Sequence, residues 1–329
     1  MNSGGTGVAI EMLHPNPKML LRIAQGDAFG MACEFRTDNL KAALEFDRYI
    51  RHPEWGPEAG HYTDDTQMSI AVAESLIHPQ GRRPPKYARP EDLTKEAFAE
   101  AFVQAYKRDP RPGYAVKFQA FLDSVSSGAE FLLKINPESD KNGAAMRSVP
   151  LGVILHEPNL LEVAATQASL THNTEGGITS SQMVALASRF ALYESAPLTE
   201  IFDYIGDWLH LSNLRWEGGP VVGPNLGMLT ARAAITLVIG EPNLLSIAKK
   251  ALIWGGDTDS VLAIAWGIAS ARKDGAELPD FFHRDLENGP YGRDYLAGLG
   301  RALMGYFAPP GFAAEFVVSK NAVLPLKKD

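Results

Sequence analysis

A chain of 329 residues, 45% hydrophobic and 21% charged, has the makeup of a globular protein with a sizeable core, and its length fits one large domain or two ordinary ones. A formal net charge of -8, with no dense basic block beyond the short Pro-rich "GRRPPKYARP" (81–90), argues against nucleic acid as a partner. The lone Cys33 excludes an intramolecular disulfide, and no run approaches the ~20 apolar residues of a membrane span, so a soluble cytoplasmic protein without a membrane partner is expected.

The N-terminal "MNSGGTGVAIEML" lacks the basic-then-apolar order of a signal peptide and reads as a flexible lead-in over 1–15. Apolar residues at three- and four-residue spacing then predict helices over 17–35, 66–77, 94–108, 114–128, 159–170, 179–194 and 198–211. The same period predicts helices over 228–240, 243–254 and 260–273. Cys33, inside "GMACEF", reads as a small core residue. Period-two alternation is scarce, and only "EFVVSK" (315–320) is expected to form a short strand. The Pro-rich 79–92 stretch and "NPESDKNG" (136–143) read as surface loops, and "RWEGGPVVGPNLGMLTA" (215–231) as a loop over a cleft. Many of these helices are apolar on more than one face and need neighbours on several sides. A single all-α domain over 16–329 is therefore expected. "EPNLL" occurs at 157–161 and again at 241–245, with Asn159 and Asn243 as predicted N-caps.

Two acidic stretches stand out. In "HYTDDTQMSIAVAESL" (61–76), Thr63, Asp64, Asp65 and Thr66 precede an apolar helix. A single cap, worth about 1 kcal/mol, needs only one of them. In "WGGDTDSVLAIAWGIASA" (254–271), Asp257, Asp259 and Ser260 offer oxygen atoms at the head of another greasy helix. Each cluster alone reads as helix capping or as half of a metal site. If the helices lie side by side, four carboxylates and two hydroxyls converge, and oxygen-only donors select Mg²⁺, Mn²⁺ or Ca²⁺ over zinc.

In order along the chain, "QGDAFGMACEF", "YTDDTQM", "KNGAAMRSVPLG", "LTHNTEGG" and "GGDTDS" resemble the ADP-ribosylglycohydrolase family, which includes the glycohydrolases that reactivate ADP-ribosylated dinitrogenase reductase. The resemblance implies a compact, orthogonal all-α bundle and a metal-dependent hydrolase that releases ADP-ribose from an ADP-ribosylated protein or small molecule. N-glycosidic ADP-ribosyl-arginine is the leading acceptor linkage. It implies two Mg²⁺ ions, with Mn²⁺ as the other candidate, held by Thr63, Asp64, Asp65, Asp257, Asp259 and Ser260. Ser260 stands where many members have Thr and keeps the hydroxyl.

The resemblance also assigns catalytic roles to Asp64, Asp65 and Glu34; read alone, Glu34 is an ordinary end-of-helix acid. Asp27 matches a structural hydrogen-bonding position. Substrate contacts fall on Gly113 and Tyr114 of "PRPGYAVKF", on Asn142 and Gly143, and on His172. A Pro-Gly turn and a helix cap are the plain readings of the first pair and of His172. Lys141 replaces a family glycine, and Asn173, Thr174 and Glu175 replace a usual Pro and Asp, which puts acceptor contacts in question more than metal binding. Arg147 reads as structural, with pairing to phosphate or to the acids as the alternative. Two other functions fit the same residues: a two-metal phosphoesterase, and a catalytically silent ADP-ribose-binding or structural homologue.

Overall fold

The computed structural model describes residues 16–77, 90–274 and 278–307. The expected lead-in over 1–15, most of the Pro-rich 79–92 stretch and the expected strand at 315–320 lie outside these residues. Fifteen helices follow one another among the described residues. They are α1 (Met19–Gly30), α2 (Leu40–Ala43), α3 (Asp64–Ile77), α4 (Lys95–Arg108), α5 (Val116–Ser124), α6 (Gly128–Lys134), α7 (Gly143–Met146) and α8 (Glu157–Ala168). Then come α9 (Glu175–Tyr193), α10 (Ile201–Leu209), α11 (Leu226–Gly240), α12 (Leu244–Trp254), α13 (Thr258–Lys273), α14 (Phe281–Arg284) and α15 (Arg293–Phe307). Among the described residues extended pairing is limited to two isolated bridges, Glu138 with His172 and Val221 with Gly256. The fold is all-α.

The helices that are apolar all round sit at the centre. Every residue of α1 is buried, as is α13 from Thr258 to Ser270, and the two pack against each other and against α3. Glycines allow the close crossing. A Cβ on Gly26 would lie 2.5 Å from the Leu262 carbonyl oxygen, and one on Gly30 would lie 2.6 Å from the Asp259 Cα. Thr258 Oγ1 donates to the Gly30 carbonyl at 2.7 Å and fixes the register. Polar groups on α1 are satisfied as burial requires. Arg22 Nε donates to Asp274 at 2.7 Å, and Gln25 Nε2 donates to the Phe282 carbonyl at 2.9 Å. The apolar core runs continuously from Met19 to Phe307.

Three local expectations are corrected. The predicted 114–128 helix is shorter, ending at Ser124, and a separate α6 follows because Ser127 caps it, accepting from the Glu130 amide, while Glu130 accepts from the Ser126 amide and hydroxyl. The two "EPNLL" copies differ: Asn243 caps α12 in a capping box, whereas Asn159 lies inside α8, which starts at Glu157 with Pro158 in its first turn. The helix α15 was not expected, although Leu296, Leu299, Leu303 and Phe307 carry the helical period and are buried. Gly298, Gly300 and Gly305 weaken its local propensity, and packing against α1 and α3 supplies the rest.

Candidate active site

Asp27, fully buried on α1, organises the head of α3. Its carboxylate accepts from the Thr63 amide (3.1 and 3.0 Å), the Thr63 hydroxyl (2.8 Å), the Thr66 amide (3.1 Å) and the Thr66 hydroxyl (2.6 Å). The structural role expected of Asp27 is therefore met. Because Thr63 gives its hydrogen to Asp27, its hydroxyl oxygen keeps lone pairs for another partner.

The two acidic motifs do converge. Asp64 feels the charges of Asp27, Glu34 and Asp257; Asp65 feels Asp27, Asp64 and Asp257; Asp259 feels Glu34, Asp257, Asp65 and Asp27. Burial first, and these like charges second, hold the carboxyls of Asp64, Asp65 and Asp259 well above the usual carboxylate range. Asp257 is also raised by burial, with Ser260, Asp259 and Asn142 pulling the other way. Asp257 stands at the N-cap of α13 but makes no side-chain cap bond, so capping does not account for it.

One oxygen each of Asp65, Asp257 and Asp259 is buried without any hydrogen-bond partner. An orphaned buried carboxylate oxygen is costly unless something positive reaches it. Among the described residues no three His, Cys, Asp or Glu side chains already enclose an ion-sized space, so the fit rests on unpaired oxygens and mutual repulsion and not on a finished cage. All the donors are hard oxygens: four carboxylates with the hydroxyls of Thr63 and Ser260. That chemistry fits a hard divalent cation.

Glu34 sits half-buried where the chain leaves α1. Burial pushes its carboxyl up to about 7, a hydrogen bond from Trp55 draws it back, and the charges of Asp257 and Asp27 raise it further. Phe35 follows with φ +50, and its amide donates to the Gly256 carbonyl at 2.8 Å, tying Glu34 to the second acidic loop. That loop is also clamped by the 215–231 segment. Val221 donates to the Gly255 carbonyl at 3.0 Å and accepts from the Asp257 amide at 3.1 Å.

The expected substrate residues divide into two groups. Gly113, at φ +116, lies directly on the first motif. Tyr114 is buried, with its hydroxyl donating to Gln67 Oε1 at 2.6 Å, so its side chain belongs to the core, and α5 begins at Val116 and not at Tyr114. Asn142 is buried and donates to Asp257 Oδ2 at 2.9 Å, so it holds an acid. Gly143 lies against the ring of His172, where a Cβ would come within 2.8 Å of Cε1.

Arg147 is buried among Gln167 and Thr171. Its Nε donates to Gln167 Oε1 at 2.5 Å and its Nη2 to Thr171 Oγ1 at 2.9 Å, and its guanidinium lies 4.4 Å from the Phe102 ring centre. Its role is structural. Thr171 accepts from Arg147 and pairs with His172 Nδ1 at 2.6 Å, which leaves His172 Nε2 as the ring nitrogen with no protein hydrogen bond among the described residues. Burial first, then the Arg147 and Lys141 charges, push the His172 imidazole down to about 3, so it is neutral at physiological pH.

A family model for ADP-ribosylglycohydrolase matches residues 18–311. The chain belongs to the ADP-ribosylglycohydrolase family. The ADP-ribosylhydrolase ARH3 of Xenopus tropicalis is 30% identical over 193 residues, covering 55% of this chain and 51% of that protein. An uncharacterized protein of Archaeoglobus fulgidus is 28% identical over 172 residues, covering 51% and 52%. The human ADP-ribosylhydrolase ARH3 is 26% identical over 298 residues, covering 70% and 76%. The chain thus spans about half the length of the frog and archaeal relatives. A solved structure described as an ADP-ribosylglycohydrolase-related protein complex superposes with a TM-score of 0.63 at 22% identity, over 88% of this chain and 97% of that one, a likeness of fold.

Within this family member, several site-building residues escape sequence reading. Arg111 forms a two-pronged ion pair with Glu287, stacks 3.6 Å from the Tyr62 ring centre and donates to the Tyr62 carbonyl. Glu287 also accepts from the Tyr62 amide at 3.0 Å. This buried clamp holds the residue just before Thr63. His52 and Trp55 bind Glu34. No motif marks any of them.

Gly113→Ala is expected to lower kcat/KM for the ADP-ribosyl substrate by about tenfold or more, because misplacement at a reacting centre by even ~1 Å costs that much. The new Cβ would meet Asp64 Oδ1 at 2.4 Å and the Thr63 Cβ at 2.7 Å, on a backbone that L residues rarely adopt. Steady-state kinetics with thermal unfolding of the same variant checks this; unchanged kinetics would show that the loop has room to move.

Proposed function

We propose that this protein is a divalent-metal-dependent ADP-ribosyl hydrolase that cleaves the glycosidic bond between ADP-ribose and its acceptor. The observation that carries it is the set of unpaired buried oxygens on Asp65, Asp257 and Asp259, convergent from two helix heads in a member of this family. Thr63, Asp64, Asp65, Asp257, Asp259 and Ser260 are the proposed ligands of two Mg²⁺ or Mn²⁺ ions. When bound, such ions orient ribose hydroxyls and a water and offset the crowded carboxylates.

The chain's own groups supply the rest. Cleavage at the anomeric carbon passes through an oxocarbenium-like state, and the carboxylates favour that positive charge. Glu34, whose carboxyl burial raises above the usual carboxylate range, is the proposed general acid–base, and with the cations offsetting their repulsion Asp64 and Asp65 are the proposed acceptors for a water proton. His172 Nε2, the ring nitrogen not engaged by Thr171, is the proposed contact to a substrate oxygen or hydroxyl. The backbone at Gly113 gives the diphosphate a close approach beside Asp64.

N-glycosidic ADP-ribosyl-arginine is the proposed linkage. A guanidinium is drawn to an acidic mouth, and the Trp55 side chain, 39% exposed beside Glu34, suits a planar cation. The test presents arginine-, serine- and DNA-linked ADP-ribose to the Mn²⁺-loaded protein and identifies the products. Free ADP-ribose, released fastest from the arginine linkage, is expected. AMP would mark a phosphoesterase, and no product at all a silent binder.

A further inference from the structure

We propose that Trp55 is a positioning residue that latches the Glu34 carboxylate into its working orientation, on a scaffold built by His52. The inference rests on the catalytic reading of Glu34. Trp55 Nε1 donates to Glu34 Oε2 at 2.7 Å across 21 residues of chain. An indole N–H and a carboxylate meeting at a surface is by itself ordinary. Here the indole is fixed from beneath. His52, 3% exposed, lies against it with ring centres 4.0 Å apart and planes tilted by 33°.

His52 is itself pinned at both nitrogens. Nδ1 lies 3.2 Å from the Glu54 amide and 3.1 Å from the Trp55 amide, and both can only donate. Nδ1 is therefore the acceptor, Nε2 carries the hydrogen, and Nε2 donates to the Glu34 carbonyl at 2.9 Å. One turn thus grips Glu34 twice, at its backbone and at its carboxylate. Asn39 Nδ2 secures that turn, donating to the Ala32 and Arg51 carbonyls at 2.9 Å each, and an Arg36–Glu54 ion pair closes it.

The choice of an indole has a chemical consequence. Trp donates and cannot accept, so Oε2 must be the acceptor and the proton that Glu34 exchanges sits on Oε1, which has no protein hydrogen bond among the described residues. A Lys or Arg in that place would also hold the carboxylate. It would add a positive charge, drive the Glu34 carboxyl well below neutrality and repel a cationic leaving group. A neutral donor orients Glu34 without either effect. Left unheld among the charges of Asp257 and Asp27, the carboxylate would turn toward water.

The test is a double-mutant cycle on the full-length, Mn²⁺-saturated protein with an ADP-ribosyl substrate, using Trp55→Phe, Glu34→Gln and both together. Phe keeps the ring on His52 and removes only the N–H. Trp55→Phe is expected to lower kcat by about tenfold with KM within about twofold of wild type and an unchanged unfolding midpoint, while Glu34→Gln lowers kcat by about 100-fold or more. The double variant should match Glu34→Gln alone, because a latch has no effect once its carboxylate is gone. A Trp55→Phe kcat within twofold of wild type overturns the proposal. So does an equal loss in both backgrounds, or an effect confined to KM. Full activity in Glu34→Gln would remove the catalytic reading of Glu34 and the latch with it, an outcome distinct from failure of the Trp55 variant alone.

Discussion

Asp259→Asn is expected to cut ADP-ribose release by about 100- to 1,000-fold, the range for losing one preorganised electrostatic group at a reacting centre, while making the cation-free protein more stable at neutral pH. The two effects share one cause. Asp259 is buried, one of its oxygens is unpaired, and burial with the charges of Glu34, Asp257, Asp65 and Asp27 raises its carboxyl well above 3.8. A group whose folded pKa is raised contributes stability that is fully present below its unfolded value and is lost as pH rises through the folded value. The cation-free wild type should therefore lose stability from about pH 4 upward, since unfolded Asp titrates near 3.9. Asp259→Asn removes one contributor, so the two unfolding curves meet near pH 4 and separate toward pH 8.

Divalent cation acts on the wild type in the opposite direction. At about 100 times its Kd a ligand of the folded state adds ~2.7 kcal/mol, and the amide variant should show a much smaller rise. Urea unfolding in chelator and in MnCl2, at both ends of the pH range, reads all of this. Asp65→Asn should behave alike, because its Oδ1 is orphaned in the same way. An equal Mn²⁺ shift in wild type and variant, or full hydrolysis in excess chelator, would remove the metal from the scheme.

How much of this was legible without a structure depends on how local each feature is. The acidic motifs could be read because Thr63, Asp64 and Asp65 are consecutive and Asp257, Asp259 and Ser260 nearly so, and more acid sits at each helix head than capping requires. Helices α3, α4, α12 and α13 follow from apolar period for the same reason. Features that depend on distant contacts could not be read. Arg111 meets Glu287 across 176 residues, and nothing near either one announces the other. Tyr114 follows Gly113, which lies on Asp64, yet its ring turns inward to Gln67, 47 residues away. Asn142, expected at the substrate, holds Asp257 across 115 residues. Asn159 looks like Asn243, and Glu-Pro precedes both, yet α8 starts at Glu157 and takes Asn159 inside, whereas α12 starts only at Leu244, so the local residues do not set the difference.

Asp27→Asn should have the opposite stability effect to Asp259→Asn, although both remove one negative charge from the same cluster. Burial raises the Asp27 carboxyl too, so loss of its charge brings some relief. Four hydrogen-bond donors decide against it. Both oxygens of Asp27 are occupied by the amides and hydroxyls of Thr63 and Thr66, whereas Asp259 Oδ1 has no partner. An amide is neutral and keeps one acceptor oxygen, so the Thr63 and Thr66 amides lose a charged acceptor and share that oxygen, while a Thr hydroxyl facing the new NH2 must reverse and accept from it, at ~1–3 kcal/mol in all. The expected loss is on the order of 1–3 kcal/mol, and Asp27→Ala, which leaves all four groups without that acceptor, should lose more. Mn²⁺ affinity should fall with it, because Thr63, Asp64 and Asp65 are aimed by that carboxylate. Unfolding in chelator isolates the hydrogen bonds from the cation. A cation-free Asp27→Asn protein as stable as Asp259→Asn would mean that charge relief outweighs the network, and that the head of α3 is held by packing alone.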